Sequence, residues 1–184
     1  MRTEREMSSY CSDNGFAYGK VAKAAKHFEM IERNLSDDED ILLVFESNGV
    51  RNKAGAALLG GLMAVAVTTK RLIYAQRRAI LGDVIKSINL NTIADISFEK
   101  GWIFNDLIID CQREYMKFDV NKNCVEKLCN AVVSKIDEFQ NKNNTPVQVN
   151  QLSVADELKK YKELLDMGVL TQEEFNAKKK QLLG

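Results

Sequence analysis

"LMAVAVTTKRLIYAQ", Leu62 to Gln76, holds two short apolar runs separated only by Thr69-Lys70. Each run has the length and the side chains of a strand, and the polar pair between them suits a tight hairpin. Working outward, "ILLVFES" from Ile41 is another short apolar run, ending at the turn dipeptide Asn48-Gly49. On the other side, "AILGDVIKSINL" holds a turn at Gly82-Asp83 and then a strand. "TIADISFE" sets Ile93, Asp95 and Ser97 against Ala94, Ile96 and Phe98, the period of a half-buried strand. Lys100-Gly101 turns into "WIFNDLIIDC", and Gln112-Arg113-Glu114 turns into "YMKFDV". The sum is about seven short antiparallel strands at meander spacing.

The period then changes. Val125, Leu128, Cys129, Val132, Val133, Ile136 and Phe139 make one apolar stripe on a helix, which has to lie on the sheets because nothing nearby offers a comparable apolar face. Ala17 to Leu35 reads as an N-terminal helix, with Val21, Ala24, Ala25, Phe28 and Ile31 at helical spacing and helix-favouring alanines. The polar, charge-mixed residues 1–16 ahead of it read as flexible. "NKNNTPVQVNQ", Asn141 to Gln151, is a linker. Residues 153–184 form a helical hairpin. Ser153 opens it, Gly168 suits the αL stop of its first helix, and Thr171 with Glu174 boxes the start of the second, where Leu170 can staple onto Phe175. Leu158, Tyr161 and Leu165 line the first helix, and Phe175 and Leu182 the second. The expected organisation is therefore a domain over 36–140, a linker over 141–152 and the hairpin.

These words have relatives. "TTKRLIY" (Thr68 to Tyr74), followed by "LNTIADISFEKG" (Leu90 to Gly101) and the helix "CVEKLCNAVVSKI", resembles the bacterial pleckstrin-homology-like (PH-like) domains of the YokE-like group. The tail "ELKKYKELLDMGVLTQEEFNAKKKQLL" is similar to the short C-terminal domain, SHOCT. Ala54 to Gly61 departs from the first pattern by extra small residues before the second strand. The resemblance implies a mainly β fold with α, a two-sheet barrel capped by the Cys124–Phe139 helix. It implies no catalysis, and it makes the hairpin an oligomerisation or interaction element, with Leu158, Tyr161, Leu165, Leu170, Phe175 and Leu182 as its contact residues.

Composition excludes little. Lys plus Arg equals Asp plus Glu at 26 each, so net charge gives no sign of a nucleic-acid partner. Ala54 to Val67 is apolar, but too short and too rich in glycine for a span, and reads as a glycine-rich loop entering a buried strand. There is no apolar signal region at the N-terminus, and Cys11, Cys111, Cys124 and Cys129 have no disulfide or zinc spacing, which fits reduced thiols in a cytoplasmic protein with no metal or other cofactor. His27, the only histidine, lacks a recognisable nucleophile partner and reads as a solvated side chain. "GAALLGG" lacks the Lys-Ser/Thr of a phosphate loop. Arg51, Lys53, Lys70, Arg71, Arg77 and Arg78 face only Asp83 in their stretch, which marks them as a candidate patch for an anionic ligand. Tyr74, Trp102 and Tyr115 offer rings for base stacking, but strands commonly use such residues for packing. The reading that emerges is a non-enzymatic module that binds an unidentified protein or peptide and assembles with copies of itself. Peripheral attachment to anionic membrane lipid is the alternative.

Overall fold

The computed structural model describes residues 1–112, 114–144, 162, 172 and 175–177. The chain divides into two compact units, Met1–Asn141 and Lys142–Gly184. Of the six hairpin contact residues, Leu158, Tyr161, Leu165, Leu170 and Leu182 lie outside the described residues; Phe175 is helical and half-buried.

The chain opens with a helix where the sequence reading expects flexibility. In α1 (Glu4–Asp13) the Thr3 hydroxyl accepts from the Glu6 amide, while the Glu6 carboxylate accepts from the amides of Thr3 and Arg2. Those donors pull the Glu6 carboxyl down to about 2. Met7 and Cys11, one turn apart, are fully buried. The polar composition hides this stripe because it is only two residues wide.

The expected helix over 17–35 contracts to α2 (Ala25–Glu32). Glu46 is the reason. Its buried carboxylate accepts the amide hydrogens of Tyr18, Lys23 and Ala24, and its own amide donates to the Phe16 carbonyl. Residues 16–24 are thereby tied to a strand and cannot join a helix ladder. Ala24 caps α2 without a side-chain oxygen; Glu46 accepts the amide of Ala24 itself, and the His27 amide donates to the Ala24 carbonyl at 2.8 Å.

Among the described residues seven strands follow: β1 (Ile41–Arg51), β2 (Ala57–Thr68), β3 (Arg71–Gln76), β4 (Val84–Asn89), β5 (Ile93–Lys100), β6 (Asn105–Cys111) and β7 (Tyr115–Asp119). They hydrogen-bond in the order β4-β3-β2-β1-β7-β6-β5, all antiparallel. β1 pairs with β2 along its length but with β7 only at Val50 and Arg51. The sheet thus divides into β1–β4 and β5–β7, with β1 common to both halves. β1 runs past the expected Asn48-Gly49 turn. Gly49 has φ +136°, where a Cβ would sit 2.9 Å from the Leu59 carbonyl oxygen, and it absorbs a register shift inside the strand. The glycine-rich stretch before Met63 is likewise strand from Ala57 on, exposed or half-buried as far as Leu62, and the strand is buried only from Met63 to Thr68.

The helix α3 (Val125–Asn144) follows β7 and buries Val125, Leu128, Cys129, Val132 and Ile136 in the core. Phe45 and Tyr74 each meet Phe118 edge-on, at centroid distances of 6.0 and 5.6 Å. No helix of the described residues is long and apolar enough to cross a membrane.

Candidate functional site

The six cations singled out from the sequence do not form one patch. In the antiparallel order the β1–β2 and β3–β4 connections leave the sheet at one end and the β2–β3 turn at the other. Lys70 and Arg71 sit at that turn, and both are engaged. Lys70 pairs with Asp38. Arg71 donates from Nε and Nη2 to Glu39 at 2.9 and 3.0 Å. Arg51 is bound to the buried carboxylate of Asp106 and lies over the Phe104 ring, 3.5 Å from its centroid. Lys53 stands 5.4 Å from the centre of the Tyr115 ring. Only Arg77 and Arg78 share a cleft. There they meet Lys23, just ahead of α2, and Lys26, in its first turn, two cations that the sequence reading left out because they belong to a distant stretch.

A second surface lies where β5 runs beside α3. β5 is a terminal strand of the sheet, with β6 on one side. Between it and α3 a groove of about 160 Å³ is lined by Ile93, Ala94, Ile96 and Asp95 from the strand and by Val133 and Asp137 from the helix, among others. At the start of the strand the Gln140 amide donates to the carbonyls of Leu90 and Ile93, at 3.1 and 3.3 Å, and closes that end of the edge. Farther along, Phe98 is partly exposed, and the β5–β6 turn carries the wholly exposed Trp102 beside Ile103. The three rings considered for base stacking are dispersed: Tyr74 is buried, Tyr115 half-buried and Trp102 exposed.

Nucleophiles are suppressed. All four thiols are buried, and burial raises the pKa of Cys11, Cys111, Cys124 and Cys129 alike. His27 is half-buried rather than solvated. Its Nδ1 accepts from the Arg77 amide at 2.8 Å, and desolvation lowers its pKa. Among the described residues no three His, Cys, Asp or Glu side chains converge as metal ligands.

The chain matches the family model "Bacterial PH domain" over residues 35–134 and "Short C-terminal domain" over 156–183. No curated protein matches. Several solved structures are similar to it, three of them as follows. The Vps36 N-terminal PH domain is 16% identical with a TM-score of 0.49, covering 58% of this chain and 85% of that one. A duf1696 family protein with a pleckstrin-homology domain from Shewanella loihica is 14% identical with a TM-score of 0.41, covering 64% and 93%. A pleckstrin homology domain from Shewanella amazonensis is 17% identical with a TM-score of 0.36, covering 64% and 97%. The first family model takes in more than half of the residues, so the chain belongs to the bacterial PH domain family, carries a short C-terminal domain behind it, and is a binding or assembly module.

Proposed function

We propose that the protein is a non-enzymatic module whose PH-like domain holds an extended segment of a protein partner along β5, while the 153–184 hairpin joins copies of the chain. One observation carries the binding half: β5 is a terminal strand, and the groove between it and α3 mixes apolar with acidic side chains. A terminal strand presents unpaired N–H and C=O groups that can hydrogen-bond an added strand, and pockets beside it select the side chains of the incoming chain. Ile96 and Val133 supply the apolar floor here, and Asp95 and Asp137 favour a segment with basic residues among its apolar ones. Covered thiols and a histidine whose Nδ1 is engaged by a backbone amide support a role without catalysis.

The test fills the groove. Ala94 is exposed, so Ala94→Trp occupies the space without entering the core. Affinity capture from native cells with the full chain is expected to yield a partner that A94W does not retain, with the two proteins melting alike. A partner held equally by both proteins places the binding surface elsewhere.

A further inference from the structure

β4 and β5 are the two terminal strands of the sheet and do not pair with each other; the short turn Leu90–Thr92 joins them. Where β4 ends, a cavity of about 410 Å³ opens between that strand and the β6–β7 turn. Its apolar part is Ile88 and Cys111, 8% and 7% exposed. Two of its polar groups are already engaged: the Asn89 side chain accepts from the Asn91 amide at 2.9 Å, and the Thr92 hydroxyl donates to the Asn89 carbonyl at 2.7 Å. The Ser87 hydroxyl, the Gln112 side-chain amide and the Glu114 carboxylate line the same cavity and have no partner among the described residues. Main-chain bonds fix the wall that carries two of them. The Gln112 amide donates to the Thr92 carbonyl at 3.1 Å, and the Cys111 amide to the Glu114 carbonyl at 2.8 Å.

The charge around the cavity has one sign. Among the described residues no lysine or arginine lines it. Burial raises the Cys111 thiol above its ordinary value, and the charges of Glu114 and Asp110 raise it further. An anion would meet repulsion here. A metal ion would find one carboxylate and a thiol that keeps its proton, whereas the thiolate is the ligand form. The free groups instead call for a donor: a carboxylate only accepts, and a hydroxyl and a carboxamide oxygen can accept as well. Ile88 and Cys111 call for carbon. We propose that this cavity binds a small organic cation, an amine or guanidine on an apolar body, with Glu114 on its charge, Ser87 and Gln112 accepting its other N–H groups, and Ile88 and Cys111 against its carbon atoms. The volume falls toward the lower end of the range for small-molecule sites, about 300–1,000 Å³. The cavity shares no residue with the β5–α3 groove and stands or falls apart from it.

Benzylamine, benzyl alcohol and benzoate share one ring and differ in charge, so amide NMR titrations of the full chain with each of them test this. Near neutral pH benzylamine, the cation, is expected to give saturable shifts centred on Ser87, Asn89, Thr92, Cys111 and Gln112, with a Kd on the order of 1 mM for a ligand of this size. Benzyl alcohol is expected to bind about fivefold more weakly, and benzoate to give no saturable shift at these amides. Glu114 is exposed, so Glu114→Gln is expected to melt like the wild type while weakening benzylamine about fivefold. Ser87→Trp fills the cavity from the exposed face of β4 and is expected to abolish the shifts at unchanged melting temperature. Equal affinity for the three probes overturns the proposal. So do benzylamine shifts that fail to saturate or lie elsewhere, and wild-type binding in either variant.

Discussion

Glu39 is a fully buried carboxylate, so its charge has to be met from within the fold. Burial by itself raises its pKa, but donors from Arg71, from the Thr68 hydroxyl at 2.7 Å and from the Ser36 amide outweigh it and hold the group at about 2. A folded value below the unfolded one means that the contribution to stability is complete above about 4.5 and is lost as the pH falls toward about 2. Arg71→Ala strands that carboxylate and is expected to cost on the order of 3 kcal/mol near neutral pH. The deficit shrinks near pH ~3, where the stranded group takes up a proton while the paired one stays ionised. Urea melts of both proteins at the two pH values check this, and an equal deficit at both would assign the loss to packing instead. None of this was legible locally. Lys70 and Arg71 look unopposed in their own stretch because Asp38 and Glu39 lie 32 positions earlier. Glu46 offers no sign that it clamps three amides of an earlier segment, since charge pairing and remote hydrogen bonding are set by the topology.

At the scale of elements, what could be read is what repeats. The alternation in Ile93–Phe98 and the stripe from Val125 to Phe139 each repeat a period several times, and a strand and a helix lie at those positions in β5 and α3. Burial along β5 does not alternate, however: Ala94 and Asp95 are both exposed and Ile96 and Ser97 both half-buried, with a register shift between Ile93 and Asp95. The N-terminal elements repeat too little. Alanines raised helix propensity across 17–35, and the clamp from Glu46 overrode it along the first part of that span. The β5 groove was out of reach for a related reason: which strand ends the sheet depends on pairing order, and short apolar runs do not encode it. α3 also provides a direct test of its faces. Val132 is fully buried, so Val132→Asp places an unpaired charge against the sheet and is expected to cost about 3–5 kcal/mol. Asn130, two positions away, is exposed, and Asn130→Asp should change stability by less than about 0.5 kcal/mol. Lys127 is a poorer control despite its exposure, since its ammonium donates to the Asn14 carbonyl and lies 5.3 Å from the centre of the Phe16 ring. Equal melting shifts for V132D and N130D would overturn the assignment of faces.

At the scale of the whole molecule, the assembly proposed for residues 153–184 bears on how strongly the proposed β5 groove would bind. The sequence reading gives 153–184 two helices of three to four turns, a length that is marginal in water, and a unit below about 40 residues buries too little to stand alone. Leu158, Tyr161, Leu165, Phe175 and Leu182 therefore call for cover beyond the hairpin itself, and a second copy of the same hairpin provides it most simply, in a symmetric assembly. A single edge-strand contact is a modest attachment. Linking copies makes the second contact intramolecular, and avidity can exceed the single-site affinity by roughly 10²–10⁴ without any new interaction. The full-length chain is accordingly expected to be at least a dimer by light scattering. Removing Ser153–Gly184 lowers that mass, and Leu158→Asp with Phe175→Asp does the same while the melt of the Met1–Asn141 unit is retained. Both changes should also weaken capture of the partner to the level of a single contact, because avidity is lost while the groove itself is untouched. An intact chain that scatters as a monomer at roughly tens of micromolar removes self-assembly, and the hairpin is then left as a docking element for a different protein.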